Sequence, residues 1–245
     1  KGTVREHLDT LAAAGIEPQI IGLDAGAIFN AYAEGKNRQQ ENPIALIDLG
    51  ADKTLVAIVS NGTLTFVRSI PRAGRAFTRA IAGELGIGFE EAEALKREKG
   101  AILSEPGEDK ARDRISTALK KALETWIQEL ERTFLSFEAH SGGEEIGEII
   151  LSGGSSKLTN LSAYLSDRLN VKTSLFRLSA HGGYKEEKSF SGDKAAPSLN
   201  IALGLALSGL KGKRTFLNFR REEMAPRLEW DKLKKYLTPT IILVG

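Results

Sequence analysis

Asp48, Gly50 and Thr54 stand in the order Asp-x-Gly-x-x-x-Thr, directly behind the apolar run Ile44-Ala45-Leu46-Ile47. At a turn that follows a strand, the carboxylate can face a hydrated divalent cation, and the glycine lets backbone N–H groups come close to a phosphate. Any tight turn between strands favours Asp and Gly too, so the motif alone also fits a plain turn. A second stretch adds to it. Glu148-Ile149-Ile150-Leu151 is an apolar strand that runs into Ser152-Gly153-Gly154-Ser155-Ser156, then into a helix with Leu158, Leu161, Leu165 and Leu169 at helical spacing. A glycine turn of this kind can set Gly153, Gly154 and Ser155 against a nucleotide, and it is also a common way to begin a helix in an α/β domain.

The elements around these turns are legible. The Asp48 turn leads into a strand from Leu55 to Ser60, and Asn61-Gly62 suits both positive-φ positions of a type I′ hairpin turn into a third strand ending near Arg68. Gly74 to Leu85 reads as a helix with Phe77, Ile81 and Leu85 on one face. Arg72, Arg75 and Arg79 gather on another, a docking face for acidic or phosphate groups or ordinary solvated surface. Phe89 to Lys99 has an acidic start and a basic end, and its carboxylates Glu90, Glu91, Glu93 and Glu98 read as helix surface without a catalytic role. Asp113 to His140 carries a stripe of Ile115, Leu119, Leu123, Trp126, Leu130, Phe134 and Phe137, expected to pack on the sheet. A strand from Val171 to Phe176, a polar loop over 179–195 and a helix opened by Ala196-Pro197 follow. Upstream, Thr3 to Ala14 reads as a helix, Pro18 to Leu23 as a strand and Ala25 to Ala33 as a helix. The order predicts an α/β sheet flanked by helices.

Together these stretches resemble the second lobe of the actin-like ATPase superfamily, with its ribonuclease H-like mixed sheet. The hairpin, then Ile70-Pro71-Arg72-Ala73-Gly74-Arg75-Ala76-Phe77, then Glu91-Ala92-Glu93-Ala94-Leu95-Lys96, is most similar to the type IV pilus assembly family PilM, over roughly Thr3 to Leu210. The resemblance implies that Asp48 to Thr54 is the second phosphate motif and Ser152 to Ser155 the adenosine motif. It also implies that a preceding lobe, which carries the first phosphate motif, is incomplete here. Lys1 opens the chain and Met224 is its single methionine, so a fragment is expected.

Composition narrows the partners. A formal charge of +2 points to no nucleic-acid partner, and the absence of Cys rules out disulfides and thiolate metal sites. His7, His140 and His181 are far apart, so no metal site is expected beyond a nucleotide-associated cation. The tail runs from basic residues 211–214 through Asn218 and Phe219 to Lys234, Lys235 and the apolar Ile241-Ile242-Leu243-Val244, which is too short to span a bilayer. This run could be an edge strand, but cations ahead of an apolar run read as the approach to a membrane helix. Residues 218–226 also resemble the linker of the type II secretion protein GspL and the cytoplasmic peptide of PilN, which PilM binds; Asn218 and Phe219 would be its contacts.

The expected organisation is residues 1–35 as the end of a first lobe, 44–210 as the second lobe, 211–235 as a basic juxtamembrane linker and 236–245 as the start of a membrane helix. Residues 36–42 would join the lobes. The resemblance implies a non-catalytic scaffold at the cytoplasmic face of the bacterial inner membrane. Its expected partners are a secretion or pilus assembly ATPase and other platform proteins, with a homodimer also compatible. The alternative is an ATP-binding switch or weak ATPase using Mg. A sugar or acetate kinase lobe is a third reading.

Overall fold

The computed structural model describes residues 2–33, 42–177, 192–209, 218–220 and 224–225. The expected linker over 36–41, most of the polar loop over 179–195, and the basic and apolar tail after residue 225 lie outside the described residues. The chain divides into two compact units, a larger one over 24–214 and a smaller one over 1–23 with 215–245.

In the larger unit, helix α2 (Asp24–Ala33) precedes strands β1 (Ile44–Leu49), β2 (Thr54–Ser60) and β3 (Thr63–Ile70). Helices α3 (Gly74–Leu85), α4 (Phe89–Lys99) and α5 (Lys110–Ser141) come next. They are followed by β4 (Glu148–Ser152), a 3-10 turn (Gly154–Lys157), α6 (Leu161–Leu169), β5 (Lys172–Leu175) and α7 (Gly192–Ser208). The strands form one mixed sheet in the order β3-β2-β1-β4-β5, with β1, β4 and β5 parallel and the β1-β2-β3 meander antiparallel.

Side chains alternate across a strand, and β1 is buried on both faces, which is why it reads as an unbroken apolar run. Ala45, Ile47 and Leu49 join Val56, Ile58, Ile149 and Leu151 in a core roofed by α3, α5 and α6. Ile44 and Leu46 join Leu55, Ala57 and Ile150 in a second core under α2 and α7. The result is three layers. At the hairpin, Asn61 and Gly62 both take positive φ, at 51° and 68°, as the type I′ turn requires.

Helix α5 starts where Asp109 accepts bonds from the N–H groups of Ala111 and Arg112 and stops at Gly142 with φ of +81°. All seven residues of its predicted stripe are buried. Two elements of the larger unit start or stop differently from expectation. Leu158 lies outside α6, because Asn160 takes φ of +65° and breaks the segment into a 3-10 turn and a helix. Helix α7 begins at Gly192, so Pro197 sits inside it rather than opening it.

The smaller unit holds helix α1 (Gly2–Ala13), none of whose residues is buried. Residues 18–23 form no strand: among the described residues the backbone bonds of Ile21 run to Asn218 and Phe219, too few to make a ladder.

Candidate functional site

The turn after β1 is built around Gly50. Its N–H donates to the Lys53 carbonyl at 3.2 Å, closing the loop into β2. Its own carbonyl accepts from the Gly74 N–H at 3.1 Å and from the Ser155 hydroxyl at 3.0 Å, and the Ala51 carbonyl accepts from the Arg75 N–H at 2.8 Å. Ala73 offers no side-chain cap to α3, so the β1–β2 turn satisfies its first donors instead. Those two amides are therefore engaged inside the protein. A Cβ at Gly74 would lie 2.2 Å from Ser155 Oγ and 3.0 Å from the Gly50 carbonyl oxygen, so a larger residue would have to displace the Ser155 hydroxyl from its bond to Gly50. Gly153 takes φ of +86°, and a Cβ would meet the Leu49 carbonyl oxygen at 2.4 Å. Gly154, by contrast, borders open space.

These turns form one wall of a cleft of about 730 Å³, whose other wall is α4. Gly50, Gly154 and Ser155 meet Glu93, Lys96 and Arg97 across it. Lys96 is 7% exposed, and its Nζ donates to the Gly74 carbonyl at 3.0 Å, Thr78 Oγ1 at 2.7 Å and Glu93 Oε2 at 2.7 Å. Glu93 also accepts from Thr78 Oγ1 and, at 3.0 Å, from Arg97 Nε. Burial alone would raise the Glu93 pKa, but the bonds from Lys96, Thr78 and Arg97 together outweigh it and hold the carboxyl below its ordinary value.

Asp48 belongs to the other face of β1. Its Oδ1 accepts from Ser152 Oγ at 3.1 Å, and Asn200 Nδ2 of α7 donates to that same hydroxyl at 2.6 Å. Burial pushes the Asp48 pKa up, the Ser152 bond opposes this, the nearby Asp24 carboxylate adds to it, and Asn200 and Lys53 offset part. Lys53 itself reaches Asp24 Oδ2 at 3.0 Å in an exposed pair. Thr54 is fully buried: its hydroxyl donates to the Arg72 carbonyl at 2.7 Å and accepts from Trp126 Nε1 at 2.9 Å.

The six residues expected to address a nucleotide therefore divide. Gly50, Gly154 and Ser155 line the cleft; Asp48 lies with Ser152 and Asn200; Thr54 and Gly153 hold the turns from inside. Arg72, Arg75 and Arg79 are all exposed, and Arg75 also lines the cleft and pairs with Asp52 at 3.3 Å. Asn218 and Phe219 bond to Ile21 within the smaller unit. Sequence reasoning passed over Gly74, Lys96, Arg97 and Asn200, and it read Glu93 as helix surface, whereas its carboxylate is partly buried and bonded to Lys96, Thr78 and Arg97. Lys96 had a signal: it lies one helical turn from Ala92, the other buried position of α4, where an apolar residue is ordinary.

The family model of the type IV pilus assembly protein PilM matches residues 1–210. The chain belongs to the PilM family. Among solved structures it is similar to a chain of the PilM–PilN type IV pilus biogenesis complex, at 26% identity and a TM-score of 0.68, covering 84% of this chain and 57% of that one. MreB5 of Spiroplasma citri, solved with AMPPNP, shares the fold at 19% identity and a TM-score of 0.55, over 84% of this chain and 63% of that one. The cell division protein FtsA of Bacillus subtilis strain 168 is 35% identical over 111 residues, 44% of this chain and 24% of FtsA. The fold is that of the actin-like ATPases, and the chain spans only part of each of these relatives.

Proposed function

We propose that this PilM-family chain is an assembly scaffold of a type IV pilus machine at the cytoplasmic face of the inner membrane, docking a platform protein and the assembly ATPase without catalysis of its own. The observation that carries this is the family match over residues 1–210, joined to the likeness to a PilM–PilN complex. Arg72, Arg75 and Arg79, exposed at the start of α3, are the proposed face for an acidic partner surface. Residues 211–235 and 236–245 would tether the scaffold to the membrane. The test is binding of purified platform protein and assembly ATPase to the full-length protein by interferometry. Replacing all three arginines with Glu should weaken one of these complexes at least about tenfold; unchanged binding of both would remove this face from the scaffold.

A second reading is favoured by the cleft. Its volume of about 730 Å³ is in the range of small-molecule sites, and Gly154, which borders open space, allows a close backbone approach. The residues present fit a nucleotide: Gly154 and Ser155 at the cleft wall would hold the adenosine, and Asp48, on the other face of β1, would face the cation that neutralises its phosphates, while Lys96 and Glu93 tie α4 to α3. We infer that Mg-ATP binds here as a conformational signal for the scaffold. Calorimetric titration into the full-length protein tests this: binding lost in Asp48→Ala supports it, and no heat with the wild type overturns it.

A further inference from the structure

Of the three arginines at the start of α3, Arg75 alone belongs to two surfaces. Arg72, Arg75 and Arg79 are all exposed, but only Arg75 lines the cleft, and only Arg75 has a carboxylate partner among the described residues. Its backbone is pinned. The Arg75 N–H donates to the Ala51 carbonyl at 2.8 Å, the Gly74 N–H donates to the Gly50 carbonyl at 3.1 Å, and the Arg72 carbonyl accepts from the Thr54 hydroxyl at 2.7 Å. Residues 72–75 are thereby tied, almost residue by residue, to the 50–54 turn that the nucleotide reading sets against phosphates. The Arg75 side chain is held far more loosely. Its Nε stands 3.3 Å from Asp52 Oδ1, with the arginine side chain 55% and the aspartate side chain 73% exposed. A pair so open to water contributes little, so a stronger anion displaces it readily.

A phosphate chain is such an anion, since it carries more charge than a carboxylate and presents several oxygens to the guanidinium fork. We propose that Asp52 and Arg75 form a phosphate-sensitive latch. Phosphates of a nucleotide in the cleft draw the Arg75 guanidinium away from Asp52, and the arginine face loses one of its three cations. The added negative charge beside the turn acts in the same direction, because it repels an acidic partner surface. Nucleotide and acidic partner therefore oppose each other, and linkage makes the opposition reciprocal by the same factor. No helix has to move, since the switch is one side chain on a fixed backbone.

The latch rests on both readings above, and its failure is separable from theirs. Interferometry on the full-length protein, with the complex that the triple arginine replacement weakens, is repeated in saturating Mg-ATP and in adenosine. Mg-ATP should weaken the complex at least about fivefold, and adenosine, which has no phosphates, should leave it unchanged. Arg75→Gln should weaken the complex and remove the effect of Mg-ATP. Arg72→Gln should weaken it too but keep that effect, since Arg72 does not line the cleft. Asp52→Asn, which releases the guanidinium, should tighten the binding of both ligands at least about twofold. Mg-ATP that gives heat in calorimetry yet leaves the affinity of the complex within about twofold, or an effect that survives Arg75→Gln, overturns the latch while both readings stand. No heat with Mg-ATP removes the latch together with the nucleotide reading, and a complex indifferent to the triple replacement removes it together with the arginine face.

Discussion

Glu93 and Asp48 are two partly buried carboxylates of the larger unit, and they are treated in opposite ways. Glu93 receives bonds from Lys96, Thr78 and Arg97, so its charged form is stabilised despite burial. Asp48 has Ser152, and Asn200 behind it, with Asp24 near enough to repel. Its charged form is under-compensated. A carboxylate whose partners are all internal belongs to the architecture. One left short of partners at the end of a strand has capacity for a ligand cation, and the fold bears a cost for keeping it there.

The largest test breaks both sides at once. Gly153 sits between the two sites, and Gly153→Ala would force a Cβ into the Leu49 backbone at a φ of +86°. A loss of at least about 4 kcal/mol in urea unfolding is expected. Lys96→Met comes next. It removes the cation from Glu93 within α4 and two bonds across the α3–α4 junction. Breaking a fully buried pair costs about 3–5 kcal/mol, and because Glu93 is 21% exposed a loss of about 2–3 kcal/mol is expected.

The pH dependence sharpens the contrast. The folded Glu93 pKa lies below its ordinary 4.5, so its contribution is present above that pH and disappears as pH falls through the folded value. The stability gap between wild type and Glu93→Gln should therefore shrink below about pH 4.5. Asp48 has the reverse sign. Its folded pKa is above the ordinary 3.8, so the charged group is a burden at neutral pH that acid relieves. Asp48→Asn should raise the melting temperature at neutral pH, with the gain fading on acidification; a loss at neutral pH would remove Asp48 from the under-compensated class. The smallest effect is Lys53→Ala, whose pair with Asp24 is about half exposed and should change stability by less than about 0.5 kcal/mol.

Much of the fold was legible because it rests on local patterning. The apolar run of β1, the Asn61-Gly62 turn and the α5 stripe from Ile115 to Phe137 each carry their own period. Elements without such a pattern misled. Ile20, Ile21 and Leu23 suggested a strand, yet residues 18–23 find too few partners for one, and Ile20 and Leu23 remain exposed. Leu158 continued the spacing of α6 and still fell outside it, because Asn160 turns the backbone left-handed. For the candidate site, the turns at Gly50 and Gly153 were readable as glycine signatures. Their division was not. Thr54 matched a phosphate motif by spacing, but Trp126, distant in sequence, takes its hydroxyl into the core.

Sequence by itself determined the strands of the sheet, the long helix and the hairpin, since each depends on residue type and short-range period, while the actin-like fold was read from the resemblance of the motifs in their order. The tertiary structure alone decided which polar groups are used up and which are left over. Gly50 is joined to both α3 and Ser155, Lys96 is folded inward onto Glu93, and Arg220 reaches back to Glu17. Hydrogen-bond satisfaction depends on partners brought together from distant parts of the chain, and no local pattern encodes that meeting.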